Sequence, residues 1–577
     1  MKILFTRALT TVALIPLIAI SMPSVYAAPE AILEGQRSHP VENKNGMVAT
    51  SHPLATAVAL DILKQGGNAI DAAVTAGFAL AVTQPRSGNI GGGGFMLISS
   101  EKKNEVVAVD YREKAPAAAF EKMFQDEAGN VVKNRSRFSH LSAGVPGTVA
   151  GLLVALEKYG TISRQQALAP AIKLASEGFN VPLRFSKGLK QRQQRLTKFP
   201  YGKSLFYKAD GSFYEAGDLF VQKDLAATLQ RISDGGVDGF YSGKTAQLIV
   251  DDMQKNKGMI TLEDLSNYRP QIRQPVQGNY RGYDIFSMSP PSSGGAHIVQ
   301  ILNMLEGYPI GEYGHNSAKT IHLMAEAMKR AYADRAEYLG DQDFVKVPLK
   351  GITSKGYANA LAKEISLDKA TESKSLRAGD PVGYESNETT HFSIVDKFGN
   401  AVSNTYTINF SYGSGISVPG AGFLLNNEMD DFSAKPGVAN AYGLLGGAAN
   451  KVEPNKRMLS SMSPTIVKRE GKNYLVTGSP GGSRIITTTL QVLMNVIDHG
   501  MNIQAAVSAP RIHHQWLPDE IRVEQGISPD TLDLLTQKGH QVKQKSAMGA
   551  IQSIMIGEDA FYGAADPRRS TSSAAGF

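Results

Sequence analysis

Helical periodicity dominates the first two thirds of the 577-residue chain. Between His52 and Gln84 it predicts two helices, the first stopped by Gly66-Gly67-Asn68 and the second being the alanine-rich AIDAAVTAGFALAVTQ. Further helices are expected at 149–159, at 162–178, after Ser292-Ser293-Gly294-Gly295, and along the amphipathic stretch 317–338. From Thr389 the texture changes to short β-patterned runs broken by Gly, Asn and Asp, with one more helix at 485–498. Helices first and strands later, with no linker between, predict the layers of a single sandwich. The glycine-rich SGNIGGGG leads into the apolar FMLIS, which predicts backbone packed closely against a strand or a ligand. A phosphate cradle does not fit, because no Lys-Ser/Thr follows the glycines and the G-x-G-x-x-G spacing is not met.

The segment TTHFSIVDKFGNAVSNTYTIN, residues 389–409, reads as a hairpin looped at Lys397-Phe398-Gly399, with glycine where positive φ is needed. Paired residue numbers then sum to about 796, so Thr389 faces Thr407. One face carries Phe392, Ile394, Val402 and Tyr406; the other carries Thr389, His391, Ser393, Ser403, Thr405 and Thr407. Threonine is a good strand former, so this pattern by itself predicts only a half-exposed strand pair.

The start of the chain has the layout of an export signal over 1–27. Lys2 and Arg7 precede an apolar run from Ala8 to about Ile20, and the small-residue site Val25-Tyr26-Ala27 follows. The run is short and broken by Pro16, which argues against a membrane anchor, and the mature chain is expected from Ala28. Zero cysteines exclude thiolate nucleophiles and Cys-ligated metals. The net charge of +7 is scattered, which argues against nucleic-acid binding, and the densest basic stretch, Arg184 to Lys198, is expected as a solvated helix face and loop. His513 and His514, adjacent in a strand, point to opposite faces, so no metal site is expected there.

Several segments in order along the chain carry a resemblance. The run Thr389 to Asn409, LLNNEMDDFSAKPG (424–437), RMLSSMSPTIV (457–467) and VTGSPGGSRI (476–485) resemble the γ-glutamyltranspeptidases. So do SGNIGGGGFM, VDYREKAP and APRIHHQWLPDE, and the similarity spans essentially the whole mature chain. The resemblance implies an α/β fold, the four-layer αββα sandwich of the N-terminal-nucleophile hydrolases. It implies one inactive precursor that cuts itself at Glu388-Thr389 into a large subunit (28–388) and a small subunit (389–577), which remain together as a heterodimer. Thr389 would become the N-terminal nucleophile. A freed α-amine, with a reference pKa of roughly 7.7–8.0, can take the proton from its hydroxyl.

By the same resemblance, the backbone amides of Gly481 and Gly482 would hold the oxyanion, and Thr407 would orient the nucleophile. Arg112, Ser460 and Ser461 would take a substrate α-carboxylate, Arg being suited to a planar two-oxygen partner. Asn409, Glu428 and Asp431 would take the α-ammonium; position 428 is Glu here where some bacterial relatives carry Gln, a change expected to alter affinity more than mechanism. Pro436 to Gly447 looks like a lid loop, with Tyr442 latching onto Asn409. The implied substrates are small-molecule γ-glutamyl donors such as glutathione, with water, amino acids or peptides as acceptors. No cofactor, metal or nucleic acid is implied, and no membrane anchor once the signal is removed. The location is expected to be periplasmic, with secretion to the medium as the alternative. A self-processing amidase of the cephalosporin-acylase kind is the competing activity, and an uncut binding protein is a further one.

Overall fold

The computed structural model describes residues 39–381, 391–440 and 442–577, so the export signal, Glu388 and Thr389 lie outside the described residues. Local rules explain the helical half. Asn68 caps the helix Ala69–Thr83 by accepting from the amides of Ile70 and Asp71, while the Asp71 carboxylate accepts from the Asn68 amide at 2.9 Å. The preceding helix, Pro53–Lys64, ends before Gly66, whose φ of 93° suits glycine. The helices Thr148–Tyr159, Arg164–Glu177, Gly294–Leu305, Ala318–Tyr338 and Arg484–Ile497 stand where the periodicity predicts them.

Two seven-stranded antiparallel sheets form the inner layers. One runs Ser573–Gly576, Gly46–Thr50, Phe392–Asp396, Ala401–Thr407, Gly93–Ser100, Glu105–Tyr111, Gln271–Arg273. The other runs Val41–Asn43, Phe561–Ala565, Gln552–Ile556, Lys472–Thr477, Thr465–Arg469, Tyr283–Ser287, Val276–Tyr280. Phe95, Leu97, Val395 and Ala401 of the first meet Ile466, Val476 and Ile554 of the second across the middle. The outer face of the first sheet is covered by helices 53–64, 69–83 and 148–159, and that of the second by helices 294–305, 318–338 and 484–497. The result is an αββα sandwich. Among the described residues no helix is long and apolar enough to cross a membrane.

The hairpin keeps the expected register: Phe392 pairs with Asn404 and Ser393 with Ser403. Both its faces are buried, however, because a helix layer covers one and the second sheet covers the other. The polar face is satisfied internally. Ser403 Oγ donates to Thr477 O at 3.2 Å in the second sheet, and Ser393 Oγ to Gln552 O at 3.0 Å. The expected order of helices first and strands later does not hold. Gly46–Thr50, Gly93–Ser100 and Tyr283–Ser287 come from the first half, and the first two are buried on both faces, so they lack the alternation that marks a strand in sequence.

The glycine run has a steric cause. A Cβ on Gly92 would stand 1.9 Å from Thr407 O, and one on Gly91 would stand 2.1 Å from Leu424 O. The stretch from Arg184 keeps the expected solvated face, with Lys187, Lys190 and Lys198 exposed, and buries the opposite one. Its helices Leu183–Gln191 and Gln193–Leu196 bury Phe185, Leu189 and Leu196, and Arg184, Arg192 and Arg195 are only partly exposed.

Candidate active site

A cavity of about 280 Å³ opens where the C-terminal end of the strand Ala401–Thr407 meets the turn before the helix Arg484–Ile497. Every described residue of the expected set lines it: Arg112, Thr407, Asn409, Glu428, Asp431, Tyr442, Ser460, Ser461, Gly481 and Gly482. These come from six separated segments. Thr389 and Glu388 lie outside the described residues, and so does the pairing of Thr389 with Thr407.

One pole of the cavity is an ionic cluster. Arg112 Nη1 donates to Glu428 Oε1 at 2.7 Å and Nη2 to Asp431 Oδ2 at 2.6 Å, while Glu113 Oε2 stands 3.5 Å from Nη1. Burial opposes the Arg112 charge, but Glu428, Glu113 and Asp431 outweigh it and its pKa rises. The carboxyls are pushed the other way. Burial raises Glu113 to about 7, and burial with the neighbouring Glu113 raises Glu428 well above the usual range; burial also raises Asp431. Glu113 Oε1 and Glu428 Oε2 are buried without a hydrogen-bond partner. Three carboxyls around one guanidinium, with an orphaned oxygen on Glu428, make a pole with more acids than cations.

Beside it stands a group the sequence did not flag. Arg335 lines the cavity from the helix Ala318–Tyr338, donating through Nε to Ser293 Oγ at 2.8 Å and through Nη2 to Ser461 Oγ at 3.0 Å. It forms no ion pair with a described carboxylate, and burial lowers its pKa. In the sequence it sits in KRAYADRAEY, which reads as an ordinary charged helix face. Ser460 Oγ accepts from the Met462 amide at 3.2 Å. Both serine oxygens are thus used as acceptors by the protein, leaving each hydroxyl proton free to donate to an anion.

At the centre, Thr407 Oγ1 accepts from the Asn409 amide at 2.7 Å, with Asn409 held at φ 69°. The Tyr442 hydroxyl donates to Asn409 Oδ1 at 2.7 Å, and Asn409 Nδ2 donates to Asn427 O at 2.9 Å. Asn440 Oδ1 accepts from the Tyr442 and Leu444 amides at 3.0 and 3.2 Å, a turn that carries Tyr442 over the cavity. Gly482 has φ 60°, and a Cβ there would stand 2.5 Å from the Tyr442 ring. Neither the Gly481 nor the Gly482 amide donates to another described residue, so both N–H groups remain available as a pair.

His391, two residues after Thr389, is locked to the second sheet. Burial lowers its pKa to about 3, so the ring is neutral; Nε2 donates to Gln552 O at 2.6 Å, and Nδ1 stands 3.0 Å from Ser403 Oγ. His513 and His514 are engaged too. Thr487 Oγ1 and Gln515 Oε1 stand 2.8 and 2.9 Å from the His513 nitrogens, and Asp519 Oδ1 stands 3.2 Å from His514 Nε2. A separate buried trio, His322, Glu326 and His540, has ligand atoms within 4.8 Å of one another. Lys329 and Arg330 already hold Glu326 at 3.0 and 2.9 Å, so an added metal cation would be repelled.

The layered sandwich, with a cavity at the strand end that follows Thr389, is that of the N-terminal-nucleophile hydrolases. A cephalosporin acylase from Bacillus halodurans superposes with a TM-score of 0.84, 28% identical, over 95% of this chain and 99% of that one. The family is narrower still: the sequence profile described as gamma-glutamyltranspeptidase matches residues 55–576, and the chain belongs to that family. The glutathione hydrolase proenzyme of Escherichia coli K12 is 54% identical over 576 residues, 99% of each chain. A solved chain of Helicobacter pylori gamma-glutamyltranspeptidase is 50% identical with a TM-score of 0.58, covering 58% of this chain and 96% of its own.

Proposed function

We propose that this chain is a γ-glutamyl transferase and glutathione hydrolase, exported to the periplasm and made as a precursor that cuts itself at Glu388-Thr389. The observation that carries this reading is the charge of the cavity. An α-amino acid head needs a cation site and an anion site in one cavity, and here the orphaned Glu428 oxygen and the hydroxyls of Ser460 and Ser461 belong to residues that line the same one. Arg112 and Arg335 supply positive charge for the α-carboxylate, and Asn409, Glu428 and Asp431 accept from the α-ammonium. A glutaryl group, as in the acylase alternative, has the carboxylate but no ammonium, and would leave the acidic pole uncompensated.

The chemistry follows from that reading. The Thr389 hydroxyl attacks the γ-carbonyl carbon and its proton passes to the freed α-amine; the negative oxygen is held by the Gly481 and Gly482 amides. The C–N bond then breaks, the departing amine takes the proton, and a γ-glutamyl ester of Thr389 remains. Water attacks the ester to give glutamate, or an amine attacks to give a new γ-glutamyl compound, and the threonine hydroxyl is restored. Self-cleavage uses the same hydroxyl on the Glu388 carbonyl. The Glu388–Thr389 C–N bond is exchanged for an ester, which water opens to leave residues 28–388 and 389–577 as the two subunits.

The test is denaturing electrophoresis with N-terminal sequencing of the purified protein beside Thr389→Ala, and hydrolysis of γ-glutamyl and glutaryl anilides. Two fragments, the smaller starting Thr-Thr-His, with γ-glutamyl preferred, are expected from the parent; Thr389→Ala is expected to stay whole. An uncut parent that still hydrolyses the γ-glutamyl anilide sinks the mechanism, and an uncut inactive one favours a binding protein. A preference for the glutaryl anilide makes the chain an acylase.

A further inference from the structure

One buried side chain reaches both the loop that carries Tyr442 and Ser483, the residue that follows Gly481-Gly482. Gln515 lies two residues past the strand Ile512–His513. Its Nε2 donates to Tyr442 O and to Leu517 O, each at 3.3 Å, while its Oε1 faces Ser483 Oγ and His513 Nε2, both at 2.9 Å. The two carbonyls can only accept, so the amide cannot be turned round: its NH2 group belongs to the loop and its oxygen to the turn. That oxygen requires both of its neighbours to donate. Ser483 gives its hydroxyl proton, and the His513 ring, neutral because burial lowers its pKa to about 3, carries its single proton on Nε2. The other nitrogen, Nδ1, is left facing Thr487 Oγ1 at 2.8 Å.

The link is fixed at the turn. Gln491, on the helix Arg484–Ile497, donates through Nε2 to Ile512 O and accepts through Oε1 from the Ile512 amide, both at 2.8 Å, which fastens the strand before Gln515 to the helix that starts at Ser483. A serine at that position commonly caps the first helical amides. Ser483 makes no such bond; its hydroxyl is turned to Gln515, and its carbonyl takes the Tyr332 hydroxyl. The loop meets the same amide closely from the other side. A Cβ on Gly443, which has φ 77°, would stand 3.3 Å from Gln515 Nε2.

We propose that Gln515 is a positioning residue for acyl transfer: it sets the Gly481-Gly482 amide pair to the position of the Tyr442 loop, so that the oxyanion site is complete only with the loop over the cavity. This rests on the γ-glutamyl transfer proposed above. If Tyr442 O moves away, Gln515 Nε2 loses one of its two acceptors, and the amide that holds Ser483 is no longer fixed at both ends. Paired N–H groups stabilise a developing oxyanion only when both point at it, so a shifted turn costs rate. Gln515 touches neither Arg112, Glu428 nor Ser460, so binding of the amino acid head at the ionic pole is left alone.

The experiment compares two inhibitors of the mature protein, glutamate and the glutamate analogue whose γ-carboxyl is replaced by a boronic acid. Boron accepts the Thr389 oxygen as its proton passes to the α-amine, leaving a tetrahedral anion at the amide pair, whereas glutamate binds without one. Gln515→Met fills the same space and makes neither set of hydrogen bonds. In it the boronate Ki is expected to rise roughly tenfold or more while the glutamate Ki moves less than about twofold, a loss confined to the oxyanion. Tyr442→Phe is expected to raise the ratio of boronate Ki to glutamate Ki in the parent and to leave it unchanged in Gln515→Met. A merely structural role would move both inhibitors together. An unchanged ratio in Gln515→Met overturns the proposal, and so does a Tyr442→Phe effect that is the same with and without Gln515. If Gln515→Met fails to mature, Ser483→Ala cuts the same link at the turn and keeps the contact with the loop; a raised ratio there upholds the proposal and an unchanged one overturns it. A mature parent without γ-glutamyl anilide turnover sinks the function itself, which is a different failure.

Discussion

The Tyr442 hydroxyl donates to Asn409 Oδ1 at 2.7 Å, joining the loop above the cavity to the end of the hairpin that begins at the proposed nucleophile. The hydroxyl also stands 3.3 Å from Asn409 O, while Gln515 Nε2 donates to Tyr442 O at 3.3 Å, so Tyr442→Phe deletes the hydroxyl's contacts and keeps the ring and the backbone tie. A net hydrogen bond of about 1 kcal/mol corresponds to roughly a fivefold change. The expected result is a donor KM raised about fivefold with self-cleavage intact, read by steady-state kinetics and electrophoresis.

Gly482 tests the same contact from below. A methyl group there meets the Tyr442 ring at 2.5 Å and also strains a backbone held at φ 60°. Gly482→Ala is expected to displace Tyr442 and cut kcat/KM by a factor of about ten or more, given the value of one oxyanion donor. The thermal midpoint should move little, because Tyr442 is on a surface loop; a collapse of the fold rather than of activity would contradict this.

Acidity controls the ammonium pole. Glu428 must be ionised to accept from an α-ammonium, and burial beside Glu113 raises its pKa. Glu113 beside it, at about 7, titrates between pH 7.5 and 5.5, so lowering the pH through that range removes its negative charge from the pole and weakens binding. Glutamate inhibition, which involves no bond breaking, is the cleaner reading than turnover. Its Ki is expected to rise as pH falls in the parent, by at most about tenfold per pH unit for one controlling group. The slope should flatten in Glu113→Gln.

Arg335 carries no acid of its own, so its charge is directed at the cavity. Arg335→Gln keeps a donor for Ser461 but removes the charge. Donor KM is expected to rise about tenfold or more, the scale of a charge-assisted hydrogen bond. An analogue without the α-carboxylate should bind parent and variant alike, which inhibition constants would show.

Much of this was legible in the chain. The helix ends at Gly66 and Asn68 carry their own capping chemistry, and the hairpin register follows from one glycine at the loop, as the pairing of Phe392 with Asn404 shows. Gly46–Thr50 and Gly93–Ser100 gave no alternation because both their faces are buried between layers. Glu428, Asp431, Ser460 and Ser461 came from resemblance to a family, since no spacing rule ties residue 112 to 428 or 461. Arg335 was invisible for a different reason. A cation in a sequence looks solvated, and only the fold reveals that its counter-charge is missing.

The interleaving of the sheets bears on what the proposed cut can do. Phe392–Asp396 lies between Gly46–Thr50 and Ala401–Thr407, and Ala401–Thr407 lies against Gly93–Ser100, so a pair of strands from after residue 388 sits between strands from before it in the middle of one sheet. The second sheet likewise joins Thr465–Arg469 to Tyr283–Ser287, and Val41–Asn43 to Phe561–Ala565. Severing Glu388-Thr389 changes the covalent path and leaves these pairings whole. The two products are woven rather than docked: neither owns a complete sheet, and parting them means melting the molecule.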